Sequence, residues 1–210
     1  MSTPEPAPRP QVREALLSAA HDELVEHGRA GISLRAVARR AGVSHAAPKH
    51  HFGDRGGLLT AVAAEGFDAL TAALTSAAEE LDRADTPAAR LAALGRAYVG
   101  FGLRHPALFD LMFRPAELHP DDATLTAARR RALGVLSAAA AEVAPSAAEP
   151  SGTPDLALAS WALAHGLVVL ARDGALHNAA GRPLDDAGLP LGLIGVFSDA
   201  MAGAAPPARP

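Results

Sequence analysis

Residues 33–52 read SLRAVARRAGVSHAAPKHHF and constrain the fold more than any other stretch of the chain. Leu34, Val37, Ala38 and Ala41 fall at i, i+3, i+4 and i+7, so a first short helix has one apolar face. Arg35, Arg39 and Arg40 point the other way. Gly42 takes the left-handed conformation at little cost and ends that helix. Val43 supplies an apolar plug, and Ser44 is a good N-cap for a second helix. The second helix is too short and too polar to be stable by itself. It presents His45, Lys49 and His50 to solvent and is anchored by Phe52. A helix, a glycine turn and a second helix with basic residues form a helix-turn-helix, whose second helix enters the DNA major groove.

The rest of the chain is consistent with an all-α protein. Of its 210 residues, 49% are hydrophobic but only 4% aromatic, and runs of β-branched residues with period two are absent. Without cysteine there are neither disulfides nor thiolate metal sites. Residues 1–10 are Pro-rich and lack the apolar core of a signal peptide. The run Ala157 to Ala171 is interrupted by Ser160, His165 and Gly166 and is short for a bilayer span. A cytoplasmic protein with no membrane partner is expected.

The net charge of −4 is unevenly spread. Residues 29–55 hold six basic side chains (Arg29, Arg35, Arg39, Arg40, Lys49, Arg55) against one acid, Asp54, a local excess of five that leaves the remainder at −9. A basic patch on an acidic body is a footprint of local phosphate binding. Lys49 is the only lysine beside eighteen arginines, a bias that a GC-rich genome also explains.

Helix start and stop signals divide the chain into about nine helices. Residues 1–9 are expected to be a flexible arm and 10–53 a three-helix reading domain, its first helix running from Pro10 to His27 and closing at Gly28. Residues 54–203 form a helical second domain and 204–210 a tail. Within it Asp54 caps a long fourth helix to about Leu81, and Pro87 opens a fifth that ends near His105. PALFDLMF is a short sixth, Asp121 or Asp122 starts a seventh reaching Val143, and an eighth covers 154–176. A loop over 177–188 leads to a ninth, 189–201. Gly56 and Gly57 each cost roughly 1 kcal/mol relative to Ala in a helix interior, so a soft start to the fourth helix is expected.

This plan resembles the TetR family of bacterial transcriptional regulators. Ser33-Leu-Arg-Ala-Val37-Ala38, Ala41-Gly42-Val43-Ser44, His51-Phe52 and Leu58-Leu59 carry the resemblance in residues 10–70. Further on, Arg104-His105-Pro106-Ala107-Leu108-Phe109 and Trp161-Ala-Leu-Ala-His165-Gly166 resemble the subgroup named for its Trp, His and Gly. Pro48 and Lys49 depart from the family's Leu-Tyr. An early-helix proline forfeits little, because the first helical N–H groups lack partners anyway. Lys49 stands for a Tyr that commonly touches the DNA backbone.

The resemblance implies a homodimer that reads a palindromic double-stranded DNA operator, most often as a repressor, and answers a small-molecule effector. DNA-contact candidates are Ser33, Arg35, Ser44, His45, Ala46, Lys49, His50 and His51. Ala46 fits against a thymine methyl or simply permits close approach. Effector-pocket candidates are Tyr98, Phe101, Phe109, Met112, Phe113, Trp161 and His165; core packing is the competing reading of all seven. Dimer candidates are Leu163, Leu167 and Leu170 on the eighth helix and Leu191, Ile194 and Phe197 on the ninth. Adjacent His50 and His51 point to different sides of a helix and chelate poorly, and the acidic pairs sit where caps belong. With no phosphate loop, nucleophile elbow or zinc spacing, no enzyme, cofactor or metal is expected. The rival reading is a protein-interaction module derived from such a regulator.

Overall fold

The computed structural model describes residues 9–81, 86–144 and 153–203. Among these there are ten α-helices and no strand. They are α1 (Arg9–Gly31), α2 (Leu34–Arg40), α3 (Ala47–Phe52), α4 (Arg55–Glu79) and α5 (Pro87–Arg104), then α6 (Pro106–Met112), α7 (Ala123–Val143), α8 (Asp155–Arg172), α9 (Ala175–Ala180) and α10 (Gly188–Gly203). A 3-10 turn, Pro115–Glu117, follows α6. α1 kinks at Gly28 (φ 64). The residues expected to be an arm before Arg9 and a tail after 203 lie outside the described chain.

The helices gather into two compact units. One holds the residues up to Asp68 together with His105–Arg129, and the other holds Ala69–Arg104 with the residues from Arg130 onward. The first unit is thus larger than the stretch 10–53, since it takes in the first half of α4 and all of α6. Its core is Leu16, Ala20 and Leu24 from α1, Val37 and Ala38 from α2, Leu58, Leu59 and Val62 from α4, and Phe109, Leu111 and Met112 from α6. In the second unit α5 packs on α8 and α10. A Cβ at Gly95 would lie 3.0 Å from Ile194 Cγ2, so the small residue lets α10 approach α5. By length and composition α4 and α8 would pass for membrane spans, yet most of α4 is buried inside the fold.

Local capping follows the sequence in most places. Ser33 Oγ accepts from Ala36 N (3.1 Å), Thr86 Oγ1 from Ala89 N (3.2 Å) and Asp122 Oδ1 from Leu125 N (2.8 Å). Two expectations fail. The eighth helix stops at Arg172, not 176: Gly174 and Gly181, both at positive φ (73° and 63°), bracket the separate turn of helix α9 where a loop was expected. His177 on α9 is buried, its Nε2 3.0 Å from the Asp186 carbonyl oxygen.

The start of α4, expected to be soft, is held by several bonds. Asp54 Oδ1 caps it by accepting from Gly57 N at 2.8 Å, and Thr60 Oγ1 donates to Gly56 O at 2.7 Å. Arg55 donates to the carbonyls of Ile32 (3.1 Å) and Arg29 (2.6 Å). The glycines answer to close packing: a Cβ on Gly57 would sit 2.0 Å from the Phe52 carbonyl oxygen, and one on Gly56 2.7 Å from His119 Nε2. Gly134, in the interior of α7, has nothing within 4 Å of its missing Cβ. Gly57→Ala is therefore expected to lower stability by about 1–3 kcal/mol through overpacking. Gly134→Ala should raise it by up to about 1 kcal/mol through helix propensity. Thermal unfolding of the two variants checks the contrast; stabilisation by Gly57→Ala would return the softness reading.

Candidate nucleic-acid interface and effector cluster

The reading head is built on a turn that few residues can make. Gly42 (φ 66) closes α2, with Val43 N bonded to Ala38 O (3.1 Å) and Gly42 N to Arg39 O (3.3 Å). The chain then makes a turn before α3. Ser44 was expected to cap this helix and does not: the N-cap is Ala46, without a side-chain bond, and Ser44 contributes its carbonyl to Ala47 N (3.0 Å). Pro48 occupies the first turn and is buried, so the ring serves as the apolar anchor where its missing N–H forfeits nothing. With Pro48 inward, His45, Ala46, Lys49 and His50 are all exposed, while His51 and Phe52 are half-buried. Ser44 and Arg35 are exposed as well. Ser33 is exposed but spends its hydroxyl oxygen on the α2 cap.

Charge on this unit is redistributed by ion pairs that span long stretches of chain. Arg40 donates to Glu23 (Nε to Oε1, 2.8 Å) and to both carboxylate oxygens of Glu26. The hydrogen bond from Arg40 holds the Glu26 carboxyl below the usual carboxylate range, and the same bonds raise the guanidinium of Arg40 further. Arg29 pairs with Glu117, and Arg55 Nη1 stands 3.6 Å from Glu117 Oε2. Three of the six basic residues counted in 29–55 are therefore matched inside the unit. Arg35, Arg39 and Lys49 are exposed and have no ion pair among the described residues. Glu23 carried the one readable sign of this: an acid on the buried stripe of α1 demands a partner.

In the second unit Tyr98, Trp161 and His165 meet. Trp161 Nε1–H donates to Tyr98 Oη at 3.0 Å, and Tyr98 Oη lies 2.9 Å from His165 Nδ1. The phenol has one hydrogen, and its oxygen already accepts from the indole, so the hydroxyl donates to the bare Nδ1. Burial pushes the Tyr98 phenol up and the His165 imidazolium down, which keeps both rings neutral near pH 7. Phe101 is buried in the same unit. The other three effector candidates belong to the first unit: Phe113 stacks on Phe109 (5.0 Å) and Phe67 (5.4 Å), and Met112 crowds Gly66. Phe109 and Met112 are buried there and Phe113 is half-buried. A shallow apolar depression in the second unit, with room for about 20 Å³, is lined by Leu91, Gly95, Ser160, Leu163, Ile194 and Phe197 among others, and by none of the seven candidates.

Tyr98→Phe removes the acceptor of a partly buried indole N–H and should lower stability by about 1–3 kcal/mol, with a shift of Trp161 emission. His165 has its proton affinity lowered by folding, so the unfolded chain binds the proton first. Stability should rise with pH through the window below about 6.5 and fall as pH drops there. Denaturation of wild type and His165→Gln between pH 5 and 8 measures this; an equal slope in both would assign it elsewhere.

The chain matches the descriptions "Bacterial regulatory proteins, tetR family" over residues 16–62 and "Tetracyclin repressor-like, C-terminal domain" over 91–187. It is 29% identical over 139 residues to an HTH-type transcriptional regulator of Mycobacterium tuberculosis, a match covering 65% of this chain and 59% of that relative. Among solved structures, a protein with unknown function from Rhodococcus sp. RHA1 is 36% identical, with a TM-score of 0.73 over 90% of this chain and 93% of that one. The TetR-like regulator LfrR of Mycobacterium smegmatis, in complex with proflavine, shares the fold at 21% identity and a TM-score of 0.57, over 94% and 98% of the two chains. The chain belongs to the TetR family of transcriptional regulators, with an N-terminal DNA-binding domain.

Proposed function

We propose that this regulator is a repressor that binds a palindromic operator as a homodimer in the cytoplasm and is released by a small-molecule effector. The observation that carries the reading is the exposed face formed by the turn into α3 and the helix itself, where His45, Ala46, Lys49 and His50 are all exposed, with Arg35 and Arg39 of α2 exposed as well. Arg35 and His51 supply backbone contacts, His45 and Ala46 face the bases, and Lys49 lies where it reaches either, with the backbone preferred. Two such heads read half-sites one helical turn, about 34–36 Å, or a multiple of it apart.

Effector binding is assigned to the second unit, around Tyr98, Trp161 and His165, where candidate residues from α5 and α8 share hydrogen bonds. The ligand-bound LfrR structure of the same fold supports a small-molecule role. Dimerisation is assigned to α8 and α10, with one change in the residues. Leu167 and Ile194 are buried within their own unit, Ile194 against Gly95, so they do not serve a partner. Leu158, Trp161, Val169 and Leu170 on α8 and Val196 on α10 are exposed apolar residues and take their place, flanked by half-buried Leu163, Leu191 and Phe197.

Selection of DNA from a random-sequence pool, followed by release with a small-molecule library, tests the whole reading; recovery of no palindrome would refute it. Leu170→Glu with Val196→Glu should give folded monomers whose operator affinity falls by at least tenfold. A monomeric wild type in sedimentation at micromolar concentration would remove the dimer. Lys49→Ala and Arg35→Ala should weaken binding uniformly across sequences, each flattening the salt dependence by roughly one unit. A changed sequence preference at constant salt dependence would move either residue from backbone to base.

A further inference from the structure

The guanidinium of Arg13, near the N-terminal end of α1, stands 5.5 Å from the centroid of the Phe52 ring. It is exposed and has no ion pair among the described residues. Other arginines of this unit are used differently: Arg29, Arg40 and Arg55 spend their N–H groups on Glu117, Glu23, Glu26 and backbone carbonyls. A cation over a ring uses only the face of the guanidinium. Its five N–H donors lie in the plane, at the edge, and remain available to an anion.

The ring that holds Arg13 is the end of a row. His50 packs edge-on to His51 at 5.4 Å, and His51 packs against Phe52 at 6.2 Å. The row therefore starts at an exposed position of the reading helix and ends at a cation contributed by a different helix. Phe52 fixes the direction of an otherwise flexible side chain, which lowers the entropy lost when it meets a phosphate. We infer that Arg13 is a DNA-backbone contact, positioned by Phe52, that extends the α3 footprint onto α1. The ligand is a phosphate of double-stranded DNA next to the groove that α3 enters. The contact adds affinity without adding sequence information.

The test measures affinity against salt for the full chain, using a duplex it selects from a random pool and a second duplex of unrelated sequence. One lost phosphate contact reduces the slope of log K against log salt by about 0.9, equivalent to about an eightfold loss at 0.1 M salt that vanishes toward 1 M. Arg13→Gln should show this on both duplexes and leave the selected sequence unchanged. Arg96→Gln removes the same charge from an exposed site of the second unit and should keep the wild-type slope. Phe52→Leu keeps the charge but loses its holder, and should flatten the slope by less than a full unit; it gives the same reading if Arg13→Gln unfolds. The inference is overturned if Arg13→Gln weakens binding at constant slope, if it changes the preferred sequence, or if Arg96→Gln flattens the slope equally.

Discussion

Glu23 is the constraint on which the reading head depends. Its side chain is only 5% exposed, on the face of α1 that also buries Leu16, Ala20 and Leu24. A carboxylate in that position is tolerable only with a bonded cation, because neither water nor the neighbouring leucines compensate the lost hydration. Arg40, the last residue of α2, supplies the cation and reaches Glu26 one turn fraction further along α1. The pair therefore fixes the end of α2 relative to α1, immediately before the Gly42 turn that aims α3. A one-residue slip of α2 would leave a buried charge unmatched, so the tie selects one arrangement among several that apolar packing alone would accept.

The same economy decides how much charge is left for DNA. Counting residues 29–55 gives an excess of five, but Arg29, Arg40 and Arg55 are matched by carboxylates that lie outside that window. Glu117 alone answers two of them, from the 3-10 turn after α6. Among the described residues of α1, α2 and α3, the exposed cations without an ion pair are Arg35, Arg39 and Lys49, with Arg13 beside Phe52. A small set of cations makes each one count. It also makes the surface selective, since an acidic body repels duplex that is not engaged by this face.

What could be read from the sequence was what local chemistry decides. The Gly42 turn, the Ser33 and Asp54 caps, and the outward face of α3 all follow from residues within a few positions of one another. Ser44 misled because a hydroxyl before a basic helix looks like a cap, whereas Pro48 shifts the first helical residue to Ala47. The reach of the eighth helix misled because Ala175 and Leu176 continue its apolar composition, while Gly174 turns the chain. Gly56 and Gly57 read as weak helix formers; the reason for them is the Phe52 carbonyl and His119, which no periodicity reveals. Phe109, Met112 and Phe113 cluster in sequence with Tyr98 and Phe101, and periodicity does not reveal that the chain passes from one compact unit to the other between Arg104 and His105.

That crossing gives α4 its importance. α4 begins in the first unit, where Asp54, Arg55 and Thr60 bind it to α1, to the segment before α2 and to His119, and it runs unbroken into the second. At 1.5 Å per residue it is about 37 Å long, stiff on the scale of one unit. Its first turns are held inside the first unit by side-chain and backbone bonds. His119 is one of the partners: its backbone N–H donates to Thr60 Oγ1 at 2.8 Å and its Nε2 stands 3.3 Å from Asp54 Oδ1.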